Sequence, residues 1–92
     1  MDYEFREIIF SVKELAKEIV AACDAYKRRT ISARDLKDIV IHYAEQYPDK
    51  LFYGPGLNST VQKIIGKKRA EFLKDALDGY QPSLFRRSIN GY

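Results

Sequence analysis

One pattern constrains this chain more than any other. Phe5, Ile8, Val12, Leu15, Ile19, Ala22 and Tyr26 recur at alternating spacings of three and four. Ile9, Ala16, Val20 and Cys23 widen the same stripe. Apolar residues at that period predict an amphipathic helix over residues 3–28. Arg6, Glu7, Lys13, Glu14, Lys17 and Glu18 take its opposite face, and Phe10 falls among them against the pattern. Acids crowd its start and bases its end, which suits the helix dipole. The heptad-like seam is compatible with a coiled-coil homodimer. The plainer reading is a helix that covers its own core.

Two further helices are expected. Thr30-Ile31-Ser32 breaks the first pattern, and Ser32-Ala33-Arg34-Asp35 reads as a capping box with Asp in place of Glu. A helix over residues 33–47 follows, with Leu36, Ile39, Val40, Tyr43 and Tyr47 inward and Pro48 ending it. His42 is assigned to its polar face. Residues 48–58 read as a loop turning at Gly54-Pro55-Gly56. Leu51, Phe52, Tyr53 and Leu57 are apolar enough to lie across the open end of the bundle, and the other use of such a loop is an aromatic contact surface. Asn58 or Ser59 caps a third helix over residues 60–78, and Gly79 and Pro82 stop it. The expected architecture is all-α: a three-helix bundle over residues 1–79, an apolar loop between its second and third helices, no sheet, and a C-terminal tail over residues 80–92, docked or mobile.

Composition excludes several classes. The chain has 92 residues, enough for one domain. Hydrophobic residues make up 46% of it and charged residues 32%, a mix that suits a globular protein. Charges interrupt every apolar run and the first residues are acidic, so neither a secretion signal nor a membrane span is expected, and the cytoplasm is the expected location. With a single cysteine, Cys23, no internal disulfide is possible, and its place in the apolar stripe predicts a buried, inert thiol. One histidine and one cysteine do not make a structural zinc site. No glycine-rich phosphate loop and no nucleophile–base pattern is visible, so no catalytic residue, metal or cofactor is assigned and the protein is read as non-enzymatic.

Charge is unevenly spread. Residues 1–26 carry six acids against three bases, and residues 27–92 carry thirteen bases against seven acids, net charges of −3 and +6. Bases cluster at Lys27-Arg28-Arg29, at Lys63 with Lys67-Lys68-Arg69, and at Arg86-Arg87. Such clusters suit a polyanionic partner, DNA or RNA. For the first triplet alone, the plainer reading is a dipole-compensated helix end. A protein partner is the alternative, as for adaptors or inhibitors encoded by phages and mobile elements, met through loop 51–57, Phe10 and the tail. Phe52, Tyr53 and Phe85 would then join Phe10 as contacts.

Ile64-Ile65-Gly66-Lys67-Lys68-Arg69 stands out within the third helix. A mid-helix glycine costs about 1 kcal/mol, and close approach of a neighbouring element is the expected compensation. Advancing by about 100° per residue puts Arg69 between Ala76 and Leu73, inside the apolar arc. A buried guanidinium needs a partner, and Asp35, Asp38 and Asp24 are the candidate carboxylates. Truncating a buried pair typically costs about 3–5 kcal/mol. The second helix, Asp49-Lys50-Leu51-Phe52, Asn58-Ser59-Thr60-Val61 and Ile65-Gly66-Lys67-Lys68-Arg69 with Phe72-Leu73 together resemble a family of short uncharacterised helical proteins of Firmicutes. The resemblance covers residues 5–78. It implies a helical shape and carries no activity.

Overall fold

The computed structural model describes residues 3–54 and 56–78. It is predominantly helical, with helices α1 Val12–Lys27, α2 Ala33–Gln46, α3 Pro48–Leu51, α4 Ser59–Ile65 and α5 Lys67–Ala76. A minimal hairpin, β1 Phe52–Tyr53 and β2 Gly56–Leu57, separates α3 from α4. Where three helices and no sheet were expected, the described residues hold five helices and two short strands.

The first correction lies at the N-terminus. Residues 3–10 are not helical, although their apolar spacing extends the stripe of α1. Ser11 caps α1 by accepting from the Glu14 N–H at 3.1 Å, and the Glu14 carboxylate reaches back to the Phe10 N–H at 2.8 Å. This reciprocal arrangement starts the helix at Val12. Upstream, the chain forms an extended strap. Tyr3, Phe5 and Ile9 turn inward, while Glu4, Arg6, Ile8 and Phe10 are exposed, an alternation broken only at the exposed Glu7. Phe10 therefore lies on the strap, not on a helix face, and Ile8 is exposed instead of lying in the apolar stripe.

Two tyrosines, Tyr43 of α2 and Tyr47 just beyond its end, hold the strap. The Tyr43 hydroxyl donates to the Arg6 carbonyl at 2.6 Å, and the Tyr47 hydroxyl donates to the Glu7 carbonyl at 2.8 Å while accepting from the Ile9 N–H at 3.0 Å. The Arg6 N–H donates to Glu18 of α1 at 3.2 Å, so the strap runs back along α1 and lies against α2. His42 is consequently not on a solvent face. It is half-buried, its ring 5.3 Å from that of Phe5, and its Nε2 is enclosed without a hydrogen-bond partner among the described residues.

The second helix forms as expected. The Ser32 hydroxyl accepts from the Asp35 N–H at 3.0 Å and the Asp35 carboxylate accepts from the Ser32 N–H at 3.3 Å. Pro48 ends α2 and at once opens the single turn α3, whose missing N–H costs nothing at that position. The expected loop is therefore a helical turn and a hairpin, with Phe52 opposite Leu57 and Gly54 at φ +60° in the turn. Leu51 and Leu57 are buried and Phe52 packs against the core, as expected of a cover, whereas Tyr53 is exposed. Asn58, not Ser59, caps α4, accepting from the Thr60 and Val61 N–H groups at 2.8 and 3.3 Å.

The third expected helix is interrupted. Gly66, at φ +87° and ψ 165°, ends α4 and begins α5. A Cβ at this glycine would meet nothing within 4 Å, so the expected close approach is not the reason for it. The reason is the backbone angle, which lies in a region essentially reserved for glycine. α1 packs against α2, α3 and α4, and α2 against α5. Leu15, Ile19, Leu36, Ile39, Tyr43, Leu51, Ile65 and Leu73 form the fully buried centre.

Candidate nucleic-acid interface

The basic triplets lie at two helix ends that touch. α1 closes with the Arg29 N–H on the Tyr26 carbonyl at 2.9 Å and the Thr30 N–H on the Ala25 carbonyl at 2.8 Å. Arg29 sits at φ +62°, the left-handed position where glycine is usual. Carrying a side chain there costs about 1–2 kcal/mol. Lys27, Arg28 and Arg29 are all exposed at this terminus.

The second triplet opens α5. Because Gly66 breaks the helix, Lys67, Lys68 and Arg69 become a first turn instead of a mid-helix segment. The first hydrogen bond of that turn runs from the Ala70 N–H to the Gly66 carbonyl at 2.9 Å. The three N–H groups before it have no intrahelical partner. Among the described residues no side chain caps them, and no acid lies in the turn. Cations at a helix N-terminus oppose the macrodipole by about 0.3–1 kcal/mol each.

Arg69 ties the two ends together. Its guanidinium donates to Asp24 Oδ1 of α1 at 3.0 Å and to the Ile65 carbonyl, in the last turn of α4, at 3.1 Å. Of the three candidate carboxylates, Asp24 is the partner. Asp35 is in its capping box and Asp38 is exposed. The pair is not fully buried, with side-chain exposures of 29% for Arg69 and 40% for Asp24. Its Nε is enclosed without a partner among the described residues. Next to Asp24, Cys23 is buried, and burial pushes its thiol up from the ordinary value against the opposing pull of Arg69 and Lys27.

Beside the ion pair, the rings of Tyr26 and Phe72 lie 6.0 Å apart and tilted by 33°. Phe72 is half-buried and Tyr26 is exposed. Sequence reasoning placed Tyr26 only in the apolar stripe and gave Phe72 no contact role. The available signal was an aromatic residue immediately before a basic triplet.

The other expected contacts fall elsewhere. Lys63 is exposed on α4, one turn before Gly66. Phe10 and Tyr53 are exposed, on the strap and on β1. Phe85, Arg86 and Arg87 lie outside the described residues. No group of three or more metal-ligating side chains forms among the described residues, and none of their helices is long and apolar enough to cross a membrane.

No curated protein and no solved structure matches the chain. A family model described as a conserved hypothetical protein matches residues 7–78, a span that runs from the strap to the end of α5 and includes both basic triplets of the described residues. The chain belongs to that family.

Proposed function

We propose that this protein binds nucleic acid, in a non-catalytic regulatory role, where the end of α1 meets the start of α5. The observation that carries the reading is the first turn of α5. Three consecutive cations stand at the positive end of a helix, and among the described residues only Arg69 is paired with a carboxylate. Lys67 and Lys68 repel the dipole and each other until an anion arrives. A phosphate there would be met by backbone N–H groups and by both ammonium groups. Lys27, Arg28 and Arg29 extend the positive surface at the C-terminal end of α1.

The test is a salt titration of binding to short DNA and RNA. Affinity should fall linearly on a logarithmic plot, and each lysine removed at Lys67 or Lys68 should lower the slope by about 0.7–0.9. Absence of binding to any short DNA or RNA at low salt would defeat the reading. In that event the second reading, a protein partner, gains. It is supported by Ile8 and Phe10, which stand 64% and 74% exposed on the outward row of the strap.

A further inference from the structure

We propose that the nucleic acid is single-stranded, with an unpaired base stacked on Tyr26. This rests on the nucleic-acid reading above and adds what the ligand must look like. Three rings other than Tyr26 and its support Phe72 decide the comparison. Phe10 and Tyr53 are more exposed than Tyr26, at 74% and 81% against 39%. Phe10, however, follows the acidic strap, and its own N–H is held by the Glu14 carboxylate, a poor neighbour for phosphate. Tyr53 sits between Phe52 and Gly54 on the hairpin, with no cation beside it in the chain. Phe5 is turned inward against His42 and Tyr43. Among the described residues, Tyr26 is the exposed ring flanked by bases: Lys27 and Arg28 follow it at the end of α1, and Lys68 lies one turn before Phe72 on α5.

The geometry is that of a supported platform. Phe72 backs the Tyr26 ring from α5. The Asp24–Arg69 ion pair fixes the two helices beside the rings. A ring held in place loses little freedom when a base stacks on it, so more of the stacking energy is kept. Base–aromatic stacking works only where the π-face of a base is free, which a duplex denies. Phosphates on either side of the stacked base would meet Lys27 or Arg28 on one helix and Lys68 on the other. The same bases would attract a duplex by charge alone, without using the ring.

The experiment compares the full chain with Tyr26→Ala, Tyr26→Leu, Tyr26→Phe and Lys67→Ala, each checked for native helicity by circular dichroism. Binding is measured by fluorescence anisotropy to unstructured single strands of DNA and RNA, to duplexes of the same length, and to heparin, a polyanion without bases. Single strands should bind more tightly than duplexes. Tyr26→Ala and Tyr26→Leu should each weaken single-strand binding by roughly 5- to 150-fold while sparing heparin and the salt slope. Tyr26→Phe should retain the affinity. Lys67→Ala should weaken every ligand and lower the slope. If Tyr26→Leu, which keeps the apolar bulk, binds single strands as wild type does, the stacking inference is overturned. In that case the nucleic-acid reading survives through the lysine dependence. Equal affinity for single strand and duplex overturns it in the same way. If no nucleic acid binds at low salt, both fall.

Discussion

Arg69 shows how far a single residue can be read in advance. Its charge inside an apolar arc required a partner, and Asp24 supplies one at 3.0 Å. The energetic expectation needs revision, because both side chains keep partial access to water. The pair is worth less than the ~3–5 kcal/mol of a fully buried one and more than the ~0–1 kcal/mol of an exposed one. Arg69 also caps the Ile65 carbonyl and encloses its own Nε. Arg69→Ala should therefore cost about 1–2 kcal/mol. Lys67→Ala, which removes a cation from the wrong end of a dipole, should be neutral or slightly stabilising. Urea midpoints of the two variants test this. Equal midpoints would mean that Arg69 does not fasten α5 to α1.

At the scale of elements, two boundaries separate expectation from structure. The strap was read as helix because Phe5, Ile8 and Val12 continue the period of α1, yet Tyr3, Phe5 and Ile9 also alternate with exposed residues. Over so short a stretch both periods fit. The Ser11…Glu14 capping pair, which the helical reading passed over, decides between them. Gly66 was legible as an anomaly, but its meaning was not. Spacing alone carries no φ, and a glycine kept for contact looks the same in sequence as one kept for a positive angle. Gly66→Ala separates the two. With open space around the Cβ, only the backbone angle resists the change, and it should cost about 1–3 kcal/mol. A destabilisation of that size in thermal or urea unfolding is expected, and a neutral result would refute the conformational reason. Binding should weaken with it, because the break is what makes Lys67-Lys68-Arg69 a first turn.

The whole molecule carries a pH dependence on its alkaline side. Burial, then Glu18, pushes the Tyr43 phenol far up from its ordinary value. Burial and Glu18 also raise Tyr3, against Arg28, and burial raises the Cys23 thiol, against Arg69. Each of these groups keeps its proton in the fold to higher pH than in the unfolded chain. Their contribution is therefore fully present below pH about 8 and is lost as pH rises through about 9 to 10 toward the folded values. Urea midpoints should be level from neutral pH to about 8 and fall beyond it. Tyr43→Phe should lower the midpoint at neutral pH, since it removes the bond to the Arg6 carbonyl, and should flatten the fall above pH 10. A midpoint that stays level to pH 11 in the unsubstituted protein would contradict this.

The sequence by itself determined the helical class, the cores of α1 and α2, the capping box at Ser32, the burial of Cys23, Leu51 and Leu57, and the demand of Arg69 for a carboxylate. These rest on local rules, on residues within a turn or two of each other, and on the cost of unpaired burial. Tertiary structure alone decided which aspartate answered Arg69, that the strap lies against Tyr43 and Tyr47, that His42 is covered by Phe5, and that Tyr26 rests on Phe72. Those pairings join residues as many as 46 positions apart in the chain. No periodicity relates such positions, because only the packing of one element on another brings them within reach.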